Sequence, residues 1–303
     1  MLPAAFPIYR VTVAHQDRRD EQLGTKAKFW FDRAGSRTLF KRGRANEDWS
    51  EKVASECAHL LGLPHAVVEL AVCDGLVGIL SPSFLDKGDH LVHGNELLLQ
   101  IDRDYPFGQR YHMPQHTLTA VLGALEKLAV SVPPRAARDL PVGFDGRDLF
   151  CGLLVLDAWT GNSDRHHENW AVIDRRERRY FAPAYDHASS LGRNETPLRI
   201  ATRLAGTDPR VTVDSYALKC RSALYSSDSA THPMTTIEAA RAAMEQRPAA
   251  AAFWRSRLQA VDDGRIDGLL ERVPAERIAD GSRRFAAAIL RFNRKRILME
   301  QNP

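Results

Sequence analysis

The chain has few cysteines, no long apolar run and little net charge, and each shortage removes a class of protein. Its four cysteines, Cys57, Cys73, Cys151 and Cys220, lie far apart with no C-x-x-C pair among them. That excludes a zinc knuckle or a small disulfide scaffold and predicts reduced, partly buried thiols. No basic stretch followed by an apolar one opens the sequence, and the most apolar later stretch is broken by Pro64, His65, Glu69 and Asp74. A secretion leader and a membrane span are therefore not expected, and a cytoplasmic enzyme is. A formal net charge of +4 permits an anionic ligand such as a nucleotide, but it gives no ground for direct nucleic-acid binding. Internal repeats and low-complexity tracts are absent, as is the H-E-x-x-H spacing of a zinc hydrolase.

What is present is ordinary in bulk and ordered in sequence. The 303 residues, 44% hydrophobic and 26% charged, suit a folded protein long enough for two lobes, each with its own core. Residues 8 to 81 read as short strands around one helix. "IYRVTV" alternates, "AKFWF" and "RTLFK" join across "DRAGS", and "VVELAV" and "LVGIL" form a hairpin at Asp74-Gly75. Between these pairs, Trp49, Val53, Cys57, Leu60 and Leu61 fall at helical spacing, and Gly62 and Pro64 end the helix. From about residue 114 long amphipathic helices dominate: 116–132, 146–161, 236–246, 250–261 and 281–301. Residues 222–235, rich in Ser and Thr without periodicity, read as an exposed connection. The expected fold is α+β, with a β-rich nucleotide-binding lobe over 1–85 and a helical catalytic lobe over 86–303.

One segment concentrates polar groups between two apolar runs. "TGNSDRHHENWAVI", residues 160–173, follows a helix and precedes a strand, and within it Asp164 is followed by four residues and then Asn169. This is the D-x-x-x-x-N spacing of a kinase catalytic loop, in which the Asp accepts a hydroxyl proton and the Asn holds a magnesium ion. A hairpin at 170–181 follows, and then Asp186 in "APAYDHASS", where a second metal-holding carboxylate belongs. A phosphate-binding cation is expected on a strand end, which Lys41 supplies. Glu51, near the start of the next helix, is its preferred partner, with Glu56 as competitor. Gly24, Thr25, Lys26 and Lys28 in "LGTKAKFWF" would cover the phosphates, although they form no G-x-G-x-x-G. His166, His167 and Glu168 have no third ligand at a zinc-site spacing. His166 is expected to point inward and hydrogen-bond the loop, and His167 to be exposed. Arg193, Arg199 and Arg203 read as solvated.

Taken together, "GNSDRHHENWAVI", "APAYDHASS", "LFKRGR", "WSEKVASECAHLLGLPHA" and "GILSPSF" resemble the HipA-like serine/threonine kinases, and more remotely the catalytic loop of phosphatidylinositol kinases. The resemblance spans roughly residues 20–300. It implies a two-lobed kinase fold, ATP and Mg2+ as cofactors, Asp164 as catalytic base, Asn169 and Asp186 as magnesium ligands, and Lys41 and Glu51 as the phosphate-binding pair. It further implies that "SPSFL" is the hinge, with the Pro82 carbonyl and the Phe84 N–H meeting adenine. The expected substrate is a protein, aminoacyl-tRNA synthetases being family targets. An antitoxin partner is implied for toxin members, and the chain is expected to be a short form without the family's N-terminal subdomain. Thr25 stands where some members carry an autophosphorylated serine. A lipid or small-molecule kinase would use the same residues, and a pseudokinase binding a partner through 193–235 is the non-catalytic alternative.

Overall fold

The computed structural model describes residues 4–20, 28–44 and 46–299. A six-stranded sheet, ordered β1-β5-β6-β4-β3-β2, forms the small lobe. Its strands are β1 (Ile8–Val11), β2 (Arg19–Asp20), β3 (Lys28–Arg33), β4 (Ser36–Arg42), β5 (Glu69–Cys73) and β6 (Leu76–Pro82). Both expected hairpins form. Ala34 and Gly35 close β3 to β4, and Asp74 and Gly75 close β5 to β6, each pair with positive φ (52° and 79°, 50° and 81°). Two successive left-handed residues give the turn twist that matches paired strands. β1 lies parallel to β5, with Ile8 opposite Leu70.

Helix α1 (Glu47–Leu61) follows β4, and Gly62, at φ 72°, caps it by donating to the carbonyls of Ala58 and His59. Its stripe of Trp49, Val53, Cys57 and Leu61 has no exposed surface. That stripe joins the main core of the large lobe, whereas Phe29, Phe31, Phe40 and Leu80 make a smaller cluster of their own. α1, together with Phe6 and Leu70, thus lets the lobes share a core.

The large lobe is built around α4 (Gly146–Thr160). Asp145 and Asp148 form its capping box, and Gly161, at φ 67°, ends it. Trp254 of α8 (Pro248–Gln259) lies against Gly152, where an added Cβ would come within 2.5 Å of the indole. α7 (Thr236–Gln246) and α10 (Asp280–Leu298) also pack on α4. A second sheet joins β7 (His90–His93), β8 (Ala171–Arg175) and β9 (Arg178–Phe181) in that order. The hairpin of β8 and β9 matches expectation. β7, with only four residues, is too short to carry a pattern of its own.

Several expectations need correction. The helix expected over 116–132 is α3, Leu118–Lys127 only: Ala129 turns to φ 50° and Ser131 bridges to Asp145 and Tyr180 instead. α2 (Gly94–Ile101), α5 (Pro197–Ala205), α6 (Val213–Ala217) and α9 (Asp263–Glu271) are further helices beyond those expected, each of nine residues or fewer. The 222–235 connection is not wholly exposed. Leu224 is fully buried, Ser222 and Tyr225 nearly so, and the Ser222 and Met234 N–H groups bond to the carbonyls of Met234 and Leu224, both at 2.8 Å. The loop folds back on itself, and such closure leaves no periodic signal. All four cysteines are free and buried. Among the described residues no helix is long and apolar enough to cross a membrane.

Candidate active site

Strand pairing sets one wall of the site. Lys28 lies opposite Lys41 on β3 and β4, and Lys41 opposite Ile79 on β6. From there the buried Lys41 ammonium donates to Glu51 Oε2 at 2.9 Å and to Asp186 Oδ1 at 2.7 Å. Burial alone would strip its charge, but Asp186 and Glu51 overcome that cost and hold its pKa above the ordinary lysine value. Glu56, the competitor, pairs with Lys52 at 2.7 Å. The start of α1 is tied to the segment after Asp186. Asn46 donates to the Arg193 carbonyl at 3.2 Å, Ser50 to the Ser190 carbonyl at 2.9 Å, and Arg193 pairs with Glu47 at 3.0 Å. Arg193 and Arg203 are accordingly not solvated arginines, since Arg203 pairs with Glu195 at 2.7 Å. Arg199 is largely exposed.

The opposite wall is the loop after α4, and a buried arginine sets its shape. Arg165 is fully buried. Its Nε and Nη2 donate to Asp157 Oδ2 and Oδ1 at 2.8 and 2.9 Å, and Nη2 also meets His187 Nδ1 at 2.9 Å. Its Nη1 donates to the carbonyl of Asn169 and, at 3.1 Å, to that of Tyr185. One guanidinium therefore fixes the backbone of Asn169 and both neighbours of Asp186, the two expected metal ligands. Asn162 donates to Asp157 Oδ1 at 2.8 Å and accepts from the Asp164 N–H at 3.3 Å. Asn169 Nδ2 donates to the Asp164 carbonyl at 2.7 Å, which orients the amide so that its oxygen faces away from that contact. Asp186 sits at φ 52°, a left-handed conformation that Asp tolerates better than most residues.

The histidines around this loop are neutral. Burial, with Arg110 adding to it, pushes His166 down to about 3, and burial pushes His167 down to about 4. His166 Nδ1 accepts the Glu168 N–H at 3.2 Å, the inward loop contact expected of it. His167 is buried rather than exposed, hydrogen-bonded to the Tyr105 hydroxyl at 2.8 Å, because the loop turns it into the aromatic layer beneath. There Trp170 Nε1 donates to His116 Nε2 at 3.2 Å. That contact leaves the His116 proton on Nδ1, which meets the Ala223 carbonyl at 3.1 Å.

Lys28, Lys41, Glu51, Pro82, Phe84, Asp164, Asn169 and Asp186 all line one cleft of about 240 Å³ between the lobes. Leu39, Ala66, Val68, Ile79 and Leu91 give it apolar walls. Gly24, Thr25 and Lys26 lie outside the described residues. A larger hollow of about 680 Å³, lined by Pro133, Pro134, Arg135 and Arg257, shares Phe84 with the cleft but contains none of the charged cluster. The oxygen donors of Asn169 and Asp186 suit a hard cation such as Mg2+, which takes a few protein oxygens and completes its shell with phosphate and water. Among the described residues no group of three or more His, Cys, Asp or Glu could hold a softer metal. Four contributors escaped the sequence reading: Arg165, Arg110, Tyr111 and Tyr185. Arg165 had a usable signal, because Asp157 is a carboxylate inside the apolar run 149–159 of α4, beyond the capping turn, and needs a buried cation.

No family model and no curated protein matches the chain. Solved structures do. A Helicobacter pylori proinflammatory kinase, CtkA, superimposes with a TM-score of 0.72 at 17% identity, covering 96% of each chain. HipA of Shewanella oneidensis, solved with HipB and its operator DNA, gives 0.57 at 14% identity, covering 93% of this chain and 66% of that one. The fold is therefore the two-lobed, kinase-like α+β fold of these structures, a β-rich lobe joined to a helical one.

Proposed function

We propose that the protein is an ATP-dependent kinase that transfers the γ-phosphoryl group to a serine or threonine hydroxyl of a protein. The observation that carries this reading is the meeting of Lys41, Glu51, Asp164, Asn169 and Asp186, distant in sequence, on one cleft. In it Asp164 is the base that accepts the hydroxyl proton. Neutral His166, whose Nε2 lies 3.7 Å from Asp164 Oδ1, adds no positive charge that would weaken that base. Lys41 binds the α- and β-phosphates, oriented by Glu51. The Pro82 carbonyl and Phe84 N–H receive adenine between the apolar walls, and Gly24, Thr25, Lys26 and Lys28 cover the phosphates. Bound between Asn169 and Asp186, Mg2+ would neutralise phosphate charge. The rest of the catalysis is positioning by groups already fixed. We place the lobe boundary near residue 85 and the enzyme in the cytoplasm. The likeness to a HipA solved with HipB supports a toxin role with an antitoxin partner; an aminoacyl-tRNA synthetase is the substrate class that the family resemblance implies.

Thermal unfolding with and without Mg-ATP tests nucleotide binding, and no stabilisation would end the kinase reading. Labelled ATP with cell lysate then tests the substrate. Label on protein serine or threonine is expected; label confined to lipid or metabolite would overturn the protein-kinase assignment while keeping the kinase.

A further inference from the structure

Tyr111 lies in the connection between α2 and α3, and several contacts hold it over the cleft. Arg110 pairs with Glu168 of the catalytic loop. Gln109 Nε2 donates to the carbonyls of Tyr111 and His112 at 2.9 and 3.0 Å, and Asn95 Nδ2 to that of Phe107 at 3.0 Å. The Tyr111 ring meets His166 edge-on, with centroids 5.6 Å apart at 79°. Its hydroxyl donates to Asp164 Oδ1 at 3.4 Å, inside the cleft that also holds Lys41, Asn169 and Asp186.

A phosphoryl acceptor must present its hydroxyl to the base with the proton directed at the carboxylate. Tyr111 makes that contact from within the same chain. We propose, on the basis of the kinase reading, that Tyr111 is an internal phosphoryl acceptor, modified by its own active site in cis. In the step, the Tyr111 oxygen bonds to the γ-phosphorus of ATP, the bond from that phosphorus to the bridging oxygen breaks, ADP leaves with the electron pair, and Asp164 takes the phenol proton. Partial burial and the neighbouring Asp164 carboxylate keep the phenol pKa above its ordinary value, so the group reaches the base protonated. Tyr111 is about half exposed, so its side chain has open space in which to change rotamer.

The purified full chain is incubated with Mg-ATP across a wide range of enzyme concentrations and followed by intact-mass and peptide mass spectrometry. The expected result is one phosphate on the peptide that contains Tyr111, gained at a fractional rate independent of enzyme concentration. It is lost in Asp164→Ala and in Tyr111→Phe, the latter keeping the ring against His166. Two results would overturn the proposal: Tyr111 unmodified in protein that Mg-ATP stabilises and that labels other groups, or a fractional rate that rises with enzyme concentration. Absence of both Mg-ATP stabilisation and any labelling would instead remove the kinase reading on which the proposal stands.

Discussion

Arg165 is a fully buried charge that meets Asp157, His187 and the carbonyls of Asn169 and Tyr185, and replacing it tests how the loop over 162–169 is held. Arg165→Met keeps the stem and removes the guanidinium, so among the described residues Asp157, itself about 2% exposed, retains only the Asn162 amide as a side-chain donor. Stranding one member of a buried ion pair costs about 3–5 kcal/mol. The carbonyls of Asn169 and Tyr185 lose their donor as well, which places the loss at the upper end of that range. Against a total stability of about 5–15 kcal/mol this is severe but measurable. Asp157→Leu strands the opposite charge and should cost a similar amount. The double variant strands neither, so its loss should fall short of the sum of the singles by about 3 kcal/mol, the coupling energy of the pair. Urea midpoints at constant slope give all three values. Strict additivity, or an Arg165→Met variant within about 1 kcal/mol of the parent, would mean the pair behaves as a surface ion pair and does not shape the loop.

Asp164→Asn should lower phosphoryl transfer by about 100- to 10,000-fold while leaving Mg-ATP stabilisation nearly intact, and Asp186→Ala should weaken that stabilisation; wild-type transfer by the Asp164 variant would refute its role as base. Gly94→Ala should cost about 1–3 kcal/mol, because its Cβ would lie 2.2 Å from the Trp170 ring and 2.5 Å from the His167 carbonyl. A variant as stable as the parent would show that α2 shifts freely past His167 and Trp170. Acid should unfold the protein early. His116 and His166 are pushed down to about 3 and His167 to about 4, with burial the first cause in each. These groups are neutral when folded and protonate near pH 6.5 when unfolded, so their stabilisation is complete above pH 6.5 and is lost as pH falls toward 4 and 3. Each contributes up to about 1.4 kcal/mol per pH unit in that window. Urea midpoints should therefore drop steeply between pH 7 and 5, and a flat profile there would contradict the buried neutral histidines.

The parts of the fold that the sequence exposes are those whose cause is local. Asp74-Gly75 announces its hairpin because two left-handed residues are costly anywhere else, and the Trp49, Val53, Cys57 stripe announces α1 because burial of one helix face repeats at a fixed spacing. Lys41, Glu51, Asp164, Asn169 and Asp186 could be picked out because each occupies a recognisable place relative to such an element. Their meeting on one cleft depends on contacts that no local pattern records. Arg165 links residues 157, 169, 185 and 187 through a single side chain, and Arg193 links the segment after Asp186 to the start of α1. The error at His167 follows from the same limit: polarity in a loop argues for solvent, but Tyr105, His116 and Trp170 come from separate elements to build a buried polar layer beneath it. Tyr111 is the extreme case. It lies 53 residues before the carboxylate it touches, in a segment without periodicity, and side-chain contacts such as Arg110–Glu168 and Asn95 to the Phe107 carbonyl bring it there. Local pattern therefore exposes the inventory of a site and the elements that carry it, while buried charges decide whether the inventory assembles. The Arg165–Asp157 cycle measures that decision directly.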